Sequence, residues 1–149
     1  DPNLKNAAEM AIASNLAGKA INISKTTAPH AVSYPFTSLF NVSHGHAVSL
    51  FFEKFFKFNY ENKDKSDTSF DLNKRFDLIF NLFDVQGINN FNSKISLIKK
   101  KAKLEDNLQT LNINIKQSSD DIIKGINLLR LGNNPIKIGE NDIYNIISK

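Results

Sequence analysis

Apolar residues recur at helical spacing along most of the chain, and no pair of alternating segments reads as a strand pair. Asn3 to Asn22 carries Ala7, Ala8, Met10, Ala11, Ala13, Leu16, Ala17 and Ala20, which predicts a helix of small side chains able to approach neighbouring helices closely. Asp1 and Pro2 are expected as its cap and first-turn proline. His30 to Asn41 predicts a shorter second helix, bent at Pro35. Ser43 is the expected N-cap of a third, running to Phe58. On it Phe51, Phe52, Phe55, Phe56 and Phe58 make a wide aromatic face.

Asn62 to Ser69 is polar and predicts a loop. Leu72, Phe76, Ile79, Phe80 and Phe83 then fall at helical spacing, with Val85-Gln86-Gly87 as the stop. Asn92 to Lys103 predicts a fifth helix, with Ile95 and Ile98 inside and Lys99, Lys100, Lys101 and Lys103 mostly outside. Leu104 to Ile115 fits a helical turn followed by an extended piece. Ser119 is the expected cap of a helix reaching Leu131, with Asp120 and Asp121 well placed in the first turn and Gly132 as the stop. Asn134-Pro135 predicts a turn, and Glu140 to Ser148 a final helix. The expected fold class is all-α, a domain of about seven helices by these pattern rules.

Composition narrows the picture. At 149 residues, 41% of them hydrophobic, the chain can build one buried core. There is no cysteine, which excludes disulfides and thiolate metal sites. The net charge of +4 and pI near 9.2 come almost wholly from lysine, since Arg75 and Arg130 are the only arginines. Asparagine occurs 20 times, and this Lys, Asn and Ile bias is that of an AT-rich genome rather than a phosphate-binding surface. A lysine run without interleaved aromatics reads as a solvated face, so no nucleic-acid partner is expected. No run of 18 apolar residues and no leader-like start occurs, so neither a membrane nor export is expected and the cytoplasm is the default.

The six glycines are dispersed, none within six residues of another, so no phosphate-cradling loop can form. The G-x-S-x-G nucleophile elbow is absent as well. The histidines are clustered: His30, His44 and His46 are the only three, and they fall within 17 residues. His30 opens one predicted helix and His44 the next, so two helix starts could meet with both imidazoles on one divalent cation. His46 lies two residues from His44 and on a helix points elsewhere. Ordinary packed or surface histidines fit the same pattern, because two ligands are fewer than a metal site takes from a protein.

The run Met10-Ala11-Ile12-Ala13-Ser14-Asn15-Leu16-Ala17-Gly18-Lys19-Ala20 resembles the M-x-x-A-S-x-L-A-G-x-A helix of the iron-containing, group III metal-dependent alcohol dehydrogenases. Pro29-His30-Ala31, Tyr34-Pro35 and Ser43-His44-Gly45-His46-Ala47 resemble that family's H-x-x-x-H-P and H-G-x-A signature. Phe58-Asn59 is similar to the F-N closing its next helix, and Asn134-Pro135-Ile136-Lys137 with Asp142-Ile143 to its N-P-R and D-I tail. The likeness is dense over residues 7 to 60, sparse from 60 to 130 and intermediate at the end.

The resemblance implies the all-helical, metal-holding C-terminal domain of a two-domain dehydrogenase, with residues 1–149 as that domain. It implies a divalent metal, iron or zinc, and NAD or NADP held by an α/β domain outside this stretch. His30 and His44 match the two later ligand histidines, while the family's ligand Asp and first His would lie upstream of residue 1. His46 is then a cleft residue beside the ligands. Tyr34 stands where the family often has a further histidine near the nicotinamide; a phenol can donate a hydrogen bond or stack there, but it does not titrate near neutrality and argues against a proton relay. Lys25 to His30 with Tyr34 is similar to the branch that includes phosphonoacetaldehyde reductases. The implied partner is a small-molecule alcohol or aldehyde, with a homo-oligomer open as an assembly; the isolated stretch is expected to be inactive. The competing reading is a helical interaction domain without catalysis, which requires the aromatic face to be exposed.

Overall fold

The computed structural model describes residues 3–148, so Asp1 and Pro2 lie outside the described residues. The helices among the described residues are α1 (Leu4–Ser24), α2 (Ala28–Phe40), α3 (His44–Glu61), α4 (Leu72–Leu82), α5 (Gly87–Lys101), α6 (Ser119–Lys124), α7 (Leu128–Leu131) and α8 (Glu140–Ile147), with one 3-10 turn at Lys63–Lys65. No strand occurs among them, and none of these helices is long and apolar enough to cross a membrane.

α3 organises the interior by burying two faces. One carries Ala47, Leu50, Phe51 and Phe55 into a core shared with α2, α6, α8 and the 113–115 segment. The other packs Phe52 and Phe56 against Phe76 and Phe80 of α4 and Phe91 of α5. Phe56 and Phe91 stack at 4.4 Å, and Phe76 meets Phe56 edge-on at 5.1 Å. Phe51 and Phe55 are fully buried, and Phe76 and Phe80 nearly so, so the aromatic face of α3 lies mostly against the core.

Several local expectations change. Asn3 caps α1, its side chain accepting from the Asn6 N–H at 2.8 Å. Every residue from 3 to 25 is exposed, so no neighbouring helix covers the small-residue face of α1 among the described residues. Asp84, at φ 50°, follows the end of α4, and Gly87, at φ 79°, opens α5 rather than closing α4. Ser43 precedes α3, but its side chain makes no cap hydrogen bond. Ile98 is exposed and Lys99 buried, the reverse of their expected places, because the Lys99 ammonium meets the buried Glu53 carboxylate inside. The helix expected from Ser119 to Leu131 breaks at Gly125, where a Cβ would lie 2.9 Å from Pro35 Cβ. Asn127 then starts α7 by accepting from the Arg130 N–H at 3.0 Å.

Two sequence motifs 75 residues apart brace one another. Asn59, from the F-N pair, and Asn134, from the N-P pair, exchange side-chain hydrogen bonds of 3.1 and 2.7 Å. Asn134 also donates to the Ile136 carbonyl at 2.8 Å, tying the tail to the end of α3.

Candidate metal centre

His30 sits in the first turn of α2, which Pro29 opens with its φ already set for a helix. Eleven residues after His30, Asn41 caps the end of α2 at φ 54° in the left-handed region that Asn tolerates, and the Val42 N–H reaches back to the Phe36 carbonyl. Val42 is buried, and His44 begins α3 directly after this reversal. His44 thereby returns to the early turns of α2. Its ring centroid lies 5.5 Å from that of His30 and 5.7 Å from that of Tyr34.

The first turns of α2 are clamped from the far end of the chain. Pro35 has no N–H, so the Ala31 carbonyl lacks its helical donor. The Asn127 N–H supplies it at 3.2 Å. The Asn133 side chain donates to the Thr26 carbonyl at 3.1 Å, and Arg130 donates to the buried Thr26 hydroxyl. Arg130 also places its guanidinium 5.6 Å from the centre of the Tyr34 ring, so Tyr34 lies in contact with both a cation and an imidazole.

His30 is half-buried and His44 exposed. Burial is the largest cause holding the His30 pKa below its ordinary 6.5, and the adjacent His44 and Arg130 push in the same direction. His30 is therefore a neutral imidazole at neutral pH, the form that offers a lone pair. Two imidazoles bound at 2.0–2.1 Å to one tetrahedral ion have ring centres about 5 Å apart, so the observed separation suits a shared ion. No group of three His, Asp or Glu gathers for a metal among the described residues. Two imidazoles are fewer ligands than a metal site takes from a protein.

His46 takes no part in this cluster. Its Nε2–H donates to the Glu105 carbonyl at 2.7 Å and fixes the turn after α5 against the start of α3. Ser33 and Arg130 carry little signal in the sequence as neighbours of the histidine pair. Ser33 lies one helical turn after His30, a spacing any helix contains; Arg130 had one signal, its rarity in a lysine-rich chain.

No curated protein and no solved structure matches the chain. The family described as Fe-containing alcohol dehydrogenase family, C-terminal, matches it over residues 1–149. An all-helical body matched along its whole length leaves a single assignment: the chain belongs to the iron-containing alcohol dehydrogenase family, as its C-terminal domain.

Proposed function

We propose that His30 and His44 are two of the metal ligands of an NAD(P)-linked alcohol dehydrogenase or aldehyde reductase. The observation that carries this reading is the 5.5 Å approach of their rings from two separate helix starts. When bound, a divalent iron or zinc ion supplies Lewis-acid polarisation of a carbonyl oxygen. The chain's own part is to present two imidazoles on rigid helices, with His30 held neutral chiefly by its burial. Tyr34, beside His44, serves as the hydrogen-bonding or stacking residue of the substrate and nicotinamide pocket. The substrate is a small alcohol or aldehyde. NAD or NADP, and the other metal ligands, are held by residues outside this stretch. The phosphonoacetaldehyde reductase-like branch is the finer assignment, supported by Lys25 to His30 with Tyr34.

The test uses a full-length protein carrying this domain. His30→Ala and His44→Ala are each expected to lower kcat/KM for aldehyde reduction by about 100-fold or more, with loss of bound metal in elemental analysis. The 149-residue chain alone is expected to consume no NAD(P)H with an aldehyde and added Zn2+ or Fe2+, because the residues proposed to hold the cofactor lie outside this stretch. Turnover by that chain alone, or a full-length enzyme indifferent to both substitutions, overturns the reading.

A further inference from the structure

The Ser33 hydroxyl is fully buried and lies between the two histidine residues. Its oxygen is 2.8 Å from the His30 carbonyl and 3.3 Å from His44 Nδ1. A hydroxyl has one proton to donate. A carbonyl can only accept, so the shorter bond takes that proton. Toward His44 the Ser33 oxygen is then an acceptor, and the hydrogen bond exists only if His44 Nδ1 carries the hydrogen. A neutral imidazole protonated on Nδ1 has its lone pair on Nε2.

We propose that Ser33 is a positioning residue that fixes the Nδ1–H tautomer and the ring orientation of His44, leaving Nε2 as the metal-facing nitrogen. The use assigned to Nε2 rests on the metal reading above; the tautomer does not. The exposure of His44 makes such a device necessary. An exposed imidazole is otherwise free to rotate and to exchange tautomers, and one of its two forms presents no lone pair at Nε2. The carbonyl that orders the Ser33 hydroxyl belongs to His30, so the hydroxyl ties the His44 ring to the turn of α2 that carries His30.

The experiment is two-bond 15N–1H correlation NMR on the metal-free 149-residue chain, at a pH where the imidazoles are neutral. His44 is expected in the Nδ1–H form in the wild type, to shift toward the Nε2–H form in Ser33→Ala, and to keep the Nδ1–H form in Ser33→Thr. Titration with Co2+ alone, followed by its visible bands and by paramagnetic broadening at His30 and His44, is expected to show binding weakened by about 10-fold or more in Ser33→Ala. An Nε2–H His44 in the wild type overturns the proposal whether or not the variants fold. So does a tautomer unchanged in a folded Ser33→Ala. A wild-type chain with Nδ1–H His44 but no Co2+ broadening at either histidine overturns the metal reading, and with it the role given to Nε2.

Discussion

Lys99 offers the sharpest test of how this fold is held together. Its ammonium is buried, 2.6 Å from Glu53 Oε2 and 3.0 Å from Asp106 Oδ1. Glu53 is buried on α3, and its other oxygen accepts from the Ser96 hydroxyl at 2.9 Å. The side chain of Asp106 is 48% exposed, so water screens that arm and it contributes about 1 kcal/mol at most. The two partners therefore fail unequally. Lys99→Met keeps the apolar stem but leaves the Glu53 carboxylate buried with a single hydroxyl, and is expected to cost about 3–5 kcal/mol. Glu53→Gln leaves Lys99 its Asp106 partner and keeps an acceptor for Ser96, so about 2 kcal/mol is expected. In the double variant neither charge remains, and its cost should fall below the sum of the singles by about 2 kcal/mol. Urea unfolding with an unchanged slope measures all three, and these losses are large against a total of about 5–15 kcal/mol. Equal costs for the two singles, or a double variant whose cost is their sum, would refute the reasoning.

Three further outcomes are expected. Asn59→Ala strands the Asn134 side-chain carbonyl in a part-buried place and should cost about 1–3 kcal/mol by urea unfolding, with the tail after α7 exchanging its amides faster. Gly125→Ala drives a methyl against Pro35 Cβ and the Asp121 carbonyl, 2.9 and 3.2 Å from the added carbon, for about 1–3 kcal/mol; Gly132→Ala, with nothing nearer than 3.5 Å, should be near neutral and is the control. The Asp67 carboxylate is held below its ordinary pKa of 3.8, first by its hydrogen bond to Lys137 and then by that residue's charge. A depressed carboxylate contributes its stabilisation above 3.8 and loses it as pH falls through the lower folded value; carboxyl 13C NMR should show Lys137→Met moving the Asp67 midpoint upward toward 3.8.

What was legible in the sequence was whatever the chain decides locally. Helical periodicity located the Phe51, Phe55, Phe76 and Phe80 interior, and the clustered His30 and His44 marked the two helix starts that meet. What escaped was decided by partners far along the chain. Lys99 looks like its lysine neighbours until Glu53, 46 residues earlier, is seen to lie beneath it. Asn59 and Asn134 read as motif fragments and turn chemistry, and no local rule joins them. The run from Ser119 to Leu131 has continuous helical spacing, yet Gly125 must come against Pro35 of α2, and the helix breaks there. The first helix failed in the other direction. Its small residues correctly predicted a helix, but helicity does not require the packing partner that such a face can accommodate.

Pro35 shows how a local defect becomes a tertiary instruction. A proline inside a helix removes one donor and leaves the carbonyl four residues earlier without its bond, a cost the fold must offset. Here that carbonyl belongs to Ala31, beside His30, and the donor that satisfies it is the Asn127 N–H. Asn127 can deliver it because the chain has just passed Gly125, whose lack of a side chain permits the approach to Pro35. The Asn127 side chain simultaneously starts α7, and α7 carries Arg130 to Thr26 and to the face of Tyr34. The guanidinium that helps hold His30 neutral therefore arrives as a consequence of the same proline that interrupts the helix. A residue read from sequence only as a bend fixes which distant segment becomes the wall of the site.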